Sequence, residues 1–420
     1  MLSFSPPSPS VYVRFLIMQP FKFVERFLVC YLVCGLNCIA SAAYYYGSGS
    51  GSDFVRARGS CFEAGGRPFY FNGFNAYYLA SLAVDSRPTV SLIMSEAAAA
   101  GLTVCRTWAF NDGAYHALQL APGVYDESSF RALDFVIHEA QNKGIRVILS
   151  LVDNYASMGG KAQYVSWAKD AGASVTSEDD FFRDQIVKSY YKNYVKDVLL
   201  RVNTLSGVAY KDDPTIFAWE LMNEPRCPSD LSGNTLNGWI EEMSAYIKSI
   251  DGNHMVEAGL EGSYGPSSSE ERQHLNPTGL LGLGVDSERH ARIPSIDFIT
   301  AHLYPDQWLP GSSLEEQLAC VTAWIEAHIE DGNTVGKPML VAEFGSKSQE
   351  SWRNSIFNAV YESINLSAEV GGAGAGALLW QLCTPDIQGN LASDGYGVSL
   401  SPSSSTSEII AIQSHKMSLL

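Results

Sequence analysis

Glu224 sits in the stretch WELMNEPRC (219–227), after Asn223 and before Pro225. The apolar run leading into it reads as a strand leaving a core. Glu343 ends a second such run, KPMLVAEFG (337–345). Two carboxyls brought to one place can split a displacement between them. One protonates a leaving oxygen while the other attacks the carbon it leaves, which is what cleavage of a glycosidic bond needs. The acid needs apolar surroundings and a charged partner to raise its pKa. The nucleophile must stay ionised, which a nearby cation favours, and Arg106 is the candidate. Taken singly, each glutamate reads as a surface or salt-bridged residue, and Glu220 is read that way. Joint placement at strand ends is what points to catalysis.

Such placement requires a scaffold. From about residue 60, short β-rich runs alternate with segments of helical period. Strand candidates are 69–77, 103–110, 145–154, 215–224, 254–260, 297–305, 338–345 and 376–382. Helix candidates are 88–100, 128–143, 180–204, 236–249, 314–330 and 350–369, set off by Pro, Ser and Gly signals. This alternation predicts an α/β chain folded as a (β/α)8 TIM barrel, a single catalytic domain over residues 55–412 with a tail at 413–420. An open doubly wound sheet is the rival, and no G-x-G-x-x-G follows the first strand to favour it. In a barrel of this kind the active site lies at the C-terminal strand ends. Those ends carry Asn75 and Tyr78; Arg106, Trp108 and Asn111; Asp153 and Asn154; Asn223 and Glu224; Glu261; His302 and Tyr304; Glu343; Trp380 and Gln381. Strand ends without a function would be dominated by turn formers.

The 420 residues, 46% hydrophobic, suffice for a large core. A net charge of −17 argues against nucleic acid or anionic membrane as a partner and is compatible with a neutral substrate. The apolar run 27–43 follows Lys22 and Arg26 and ends in Ala40-Ser41-Ala42, so residues 1–42 read as a secretory signal peptide, with Met18 as an alternative start. A membrane anchor is the rival, for which the run is short. Residues 43–54 read as a Gly/Ser linker. Secretion, to the extracellular space or cell wall, leaves Cys61, Cys105, Cys227, Cys320 and Cys383, an odd number with no metal-ligand spacing. Asn365-Leu366-Ser367 is the single sequon and hence the candidate N-glycan site.

Seven segments extend this reading: NGFNAYYL (72–79), RTWAFND (106–112), YVSWAKDAG (164–172), WELMNEPRC, IDFITAHLYPDQW (296–308), KPMLVAEFG and GAGALLWQL (374–382). Together they resemble glycoside hydrolase family 5, and within it plant-type endo-β-1,4-mannanases, over roughly residues 55–412. The resemblance implies a retaining endo-hydrolase of β-1,4-mannosidic bonds in mannan, galactomannan and glucomannan, without metal or cofactor. It implies Glu224 as acid/base, Glu343 as nucleophile, Asn223 at the sugar 2-hydroxyl, Tyr304 and His302 beside the nucleophile, and Arg106 supporting its charge. Trp380 would stack under the sugar, Arg226 and Trp308 would serve subsites further along the sugar chain, and Trp108 would bind substrate. Tyr78 departs from the Trp common in the family and is expected to face the cleft as a weaker sugar platform. Two rival readings stay open: a glucanase of the same clan, and a carbohydrate-binding relative that has lost catalysis.

Overall fold

A computed structural model describes residues 54–420 except 114, 389–393 and 402. The proposed signal peptide and nearly all of the linker lie outside these residues. The chain enters as a small antiparallel sheet of β1 (Arg56–Arg58), β2 (Cys61–Ala64) and β3 (Arg67–Pro68). Phe62 of β2 is fully buried and meets Phe217 and Phe298 edge-on, at centroid distances of 5.1 and 5.2 Å. With Phe71 these rings stopper the end of the barrel where its strands begin. This contact anchors a sheet too small to be stable alone.

Eight parallel strands follow: β4 (Phe71–Asn75), β5 (Val104–Trp108), β8 (Arg146–Ser150), β9 (Ile216–Glu220), β10 (Met255–Glu257), β11 (Ile299–Leu303), β12 (Met339–Phe344) and β13 (Gly374–Leu379). A short hairpin, β6 (Gln119–Ala121) and β7 (Val124–Tyr125), lies on the loop after β5. The eight pair in the order β10-β9-β8-β5-β4-β13-β12-β11. The two outer strands are drawn together by Asp297 N–H donating to Val256 O (2.8 Å) and His302 N–H donating to Glu261 O (2.9 Å). These bonds close the circle and remove the open-sheet alternative. The strand sequences are near-continuous apolar runs because helices cover their outer faces while side chains fill the inside.

All six expected helices form, with one division. The 180–204 segment is a 3₁₀ turn (Glu178–Phe182) and a separate helix (Gln185–Leu200), because the Asp184 carboxylate caps the N–H groups of Ile186 and Val187. Helices at Leu79–Asp85, Gly160–Asp170 and Ser405–Met417 were not expected. The last one corrects the boundary at 412. Asn72 Nδ2 donates to Ile410 O (3.2 Å) and Ser414 Oγ (3.1 Å), tying this helix to β4, so Gln413–Met417 belong to the domain and not to a tail.

The same helix corrects the expected glycan. Asn365 is buried, and its amide exchanges hydrogen bonds with that of Gln413 at 2.8 and 3.0 Å. The folded domain therefore does not present the sequon. Cys105, Cys227, Cys320 and Cys383 are thiols without disulfides. No helix among the described residues is long and apolar enough to cross a membrane.

Candidate active site

The strand ends deliver both glutamates to one rim. Beyond β9, Asn223 N–H donates to Val152 O and Glu224 N–H to Gly259 O, both at 2.9 Å, which pins the segment between its two neighbours. Glu224 takes φ +50°, a left-handed conformation costly for a residue with a Cβ and typical of functional sites. On the facing side, Ala301 pairs with Val341 but His302 pairs with Glu343, skipping Ala342. This bulge re-aims the Glu343 side chain and sets it beside His302. A carboxylate oxygen of Glu224, one of Glu343 and a ring nitrogen of His302 all lie within 4.8 Å of one another. Such a trio could also grip a cation, but the arrangement around it is one that moves protons.

Arg106 is wholly buried beneath the pair. Its Nε and Nη2 fork onto Glu220 at 2.6 and 2.8 Å. Nη1 donates to Glu343 Oε1 (2.6 Å) and Asn75 Oδ1 (3.0 Å), and Nη2 also donates to Asn223 Oδ1 (2.7 Å). Burial alone would discharge the guanidinium, but Glu220 and Glu343 keep it charged. Glu220 is thus salt-bridged as expected, but it is a core residue and not a surface one. It fixes the fork that supports Glu343. Asn223 is oriented from both ends, since its Nδ2 donates to Asp153 Oδ1 at 2.9 Å. One amide hydrogen is left for a ligand.

Tyr304 donates to Glu343 Oε2 at 2.5 Å. His302 Nδ1 stands 2.7 Å from Glu224 Oε1 and 3.5 Å from Glu343 Oε2. Tyr155 donates to Glu224 Oε2 at 2.7 Å, and Arg226 Nη2 lies 3.4 Å from the same oxygen. Arg226 itself forks onto Glu261 at 2.7 and 2.6 Å.

Burial pushes the Glu224 carboxyl up, but the bond and charge of His302, with Arg226 and Tyr155, hold it at about 2. Glu343 moves upward through burial and the charge on Glu224, against His302 and Arg106. Burial disfavours the His302 cation, yet Glu343 and Glu224 raise its pKa. This order is the reverse of what a donor at Glu224 and a nucleophile at Glu343 require. The groups titrate together, and the reversal belongs to one placement of a shared proton. Moving that proton across the 2.7 Å bond from His302 Nδ1 to Glu224 Oε1 leaves the net charge unchanged and makes Glu224 the acid. The repulsion from Glu224 and the attraction of the His302 cation then both disappear, and Arg106 and Tyr304 are what remain to hold Glu343 ionised against burial.

Aromatic side chains form one wall. Trp380 is half-buried, held by its indole N–H donating to Asp394 Oδ2 (2.7 Å), and stacks on Tyr77 at 5.6 Å and 7°. Trp108 packs beside both rings, with the Arg106 guanidinium 4.7 Å from its centroid. Tyr78 is not on this wall. The chain turns into the helix Leu79–Asp85 at that residue, the ring is fully buried, and its hydroxyl donates to Leu382 O at 2.5 Å. The cleft aromatic is its neighbour Tyr77, and the expected platform at 78 is corrected to a packing position. Trp308 is half-buried against Trp324, outside the bonded network around the glutamates. Tyr155 and Glu220 join that network without having been singled out as site residues. Glu220 lies at the end of β9 in WELMNEP, but Tyr155 follows its strand by several residues and carries no spacing signal.

Comparison with known proteins agrees with this geometry. The family model described as GH family 5 beta-mannosidase-like matches residues 52–384. Mannan endo-1,4-beta-mannosidase 7 of Arabidopsis thaliana is 51% identical over 375 residues, 87% of this chain and 86% of that one. Mannan endo-1,4-beta-mannosidase 1 of Oryza sativa subsp. japonica is 51% identical over 381 residues, 89% and 88% of the two chains. Among solved structures, the endo-β-1,4-mannanase of Thermotoga petrophila superposes with a TM-score of 0.73 at 35% identity, covering 83% of this chain and 77% of that one. The endo-1,4-β-mannanase of Rhizomucor miehei superposes with a TM-score of 0.74 at 31% identity, covering 87% and 100%. By sequence and by fold, the chain belongs to the β-mannosidase-like group of glycoside hydrolase family 5.

Proposed function

We propose that this protein is a secreted, retaining endo-hydrolase of internal β-1,4-mannosidic bonds in mannan, galactomannan and glucomannan, polymers of plant cell walls. The observation that carries the mechanism is the spacing of the pair. Carboxylate oxygens of Glu224 and Glu343 within 4.8 Å of each other support the roughly 5–5.5 Å carboxyl separation of retaining enzymes over the about 6.5–9.5 Å of the inverting route. Names of relatives at 51% identity support mannan as the substrate. Secretion rests on the basic, apolar and small-residue pattern of residues 1–42.

In the first step Glu343 attacks the anomeric carbon, the glycosidic C–O bond breaks, and Glu224 gives its proton to the departing oxygen. The product is a mannosyl ester of Glu343. In the second step Glu224 takes a proton from water, whose oxygen attacks the same carbon and releases Glu343. Asn223 offers its remaining amide hydrogen to the sugar 2-hydroxyl, a contact that strengthens in the transition state. Trp380 presents a flat face to the apolar side of the sugar ring.

Reducing-sugar release from mannan, cellulose and mixed-linkage glucan tests this reading, with the anomeric form of the first product read by NMR. Mannan cleaved fastest, with retention, is expected. Faster cleavage of a glucan would make the enzyme a glucanase of the same clan, and no cleavage would make it a binding protein. Glu343→Ala should abolish turnover. Glu224→Ala should lose about 10²–10⁴-fold on mannan yet keep the first step on a nitrophenyl mannooligosaccharide, whose leaving group needs no proton. Azide restoring turnover to the Glu343 variant through a retained product would exchange the two roles.

A further inference from the structure

Glu224 is approached from every side. β11 supplies His302 and Tyr304, β12 supplies Glu343, and Arg226 comes from its own segment. Glu261 follows β10, and Asp153 and Tyr155 follow β8. Most of these groups are buried or locked into ion pairs. Tyr155 is different. It is 41% exposed, neutral, and bound to Glu224 through a single hydroxyl at 2.7 Å, with Arg226 5.4 Å from its ring centroid. It holds Oε2, while Oε1 belongs to His302.

Resting on Glu224 as the acid/base, we propose that Tyr155 is a positioning residue that stabilises the carboxylate Glu224 becomes on protonating the leaving sugar, and so makes it a stronger acid toward an unactivated leaving group. A hydroxyl donates a stronger bond to a carboxylate than to the neutral acid, because the bond is charge-assisted. The bond therefore favours loss of the proton from Glu224. The same bond steadies the carboxylate that next acts as base. Deleting the hydroxyl leaves Glu224 with His302 and Arg226, so no buried charge is stranded, and the exposed ring can stay where it is.

Tyr155→Phe tests this. The alkaline limb of the pH profile of kcat/KM on mannan, set by loss of the acid's proton, is expected to move up by about one pH unit. Below that limb, kcat on mannan should fall about threefold, a weaker acid giving slower proton transfer. The pre-steady-state burst with a nitrophenyl mannooligosaccharide should be unchanged. Tyr155→Ala, which also removes the ring, should place the limb at the same pH as Tyr155→Phe. A higher KM with an unmoved limb in both variants would make Tyr155 a sugar platform and overturn the inference. A limb that moves only in Tyr155→Ala would assign the effect to the ring and Arg226, and would overturn it as well. Failure of the underlying assignment reads differently, as full activity of Glu224→Ala on mannan.

Discussion

Single side chains in this protein act through what surrounds them, and two positions show it in measurable form. Tyr78 fills a closed space and spends its hydroxyl on Leu382 O. Tyr78→Trp should therefore overpack the core and cost about 1–3 kcal/mol of stability, with KM on mannan unchanged. Denaturant unfolding and steady-state kinetics on one preparation check both halves. Asp153 is a buried acid whose pKa burial pushes up to about 7, the charge on Glu224 adding to burial and the bond from Asn223 opposing it. A carboxyl raised above its unfolded value holds its proton in the fold after the unfolded chain has lost it. Its presence therefore lowers stability as pH rises from about 4 to about 7. Asp153→Asn, which still accepts the bond from Asn223, should match the parent near pH 4. At pH 7 it should be more stable, by an amount on the order of 3 kcal/mol. Melting temperatures across that range give the comparison, and a constant difference would refute the linkage.

At the scale of elements, the site depends on departures from regular strands. Skipping Ala342 brings Glu343 opposite His302, and Glu224 takes a left-handed backbone conformation at the end of its own segment. Neither departure interrupts the apolar pattern of its strand, so the pattern alone locates the strand end and not the aim of the residue on it. The C-terminal helix follows a similar rule. Its register is set by polar pairs inside the packing, Gln413 with Asn365 and Ser414 with Asn72. Gln413→Ala should strand the buried Asn365 amide and cost about 1–3 kcal/mol in urea unfolding, leaving kcat/KM on mannan intact. A loss below about 0.5 kcal/mol would show that the helix end is not part of the cooperative unit.

For the whole molecule, the net charge of −17 sets an expectation about association. A neutral polysaccharide gains nothing from the field of an acidic protein. Raising salt from about 20 to 500 mM, which shortens the screening length from roughly 20 to 4 Å, should change kcat/KM on galactomannan less than about twofold. A steep dependence would mean that charged groups on the substrate or at the rim take part in binding.

The barrel, the eight strands and the two carboxyls were legible before any folding, because apolar strand runs and the residues that end them are local patterns with a period. The polar cluster at those ends was legible for the same reason: Asn75, Arg106, Asp153, Asn223, Glu261, His302 and Tyr304 each lie in the C-terminal part of a strand or just beyond it. Tertiary structure alone decided who meets whom. Nothing local distinguishes Tyr77 from Tyr78, yet one lines the cleft and the other fills the core, because the turn into a helix falls between them. Nothing around Asn365 announces that a helix some forty residues later will cover its sequon. Tyr155 reaches Glu224 because the segment after β8 runs beside the segment after β9, a contact between distant residues that no spacing encodes.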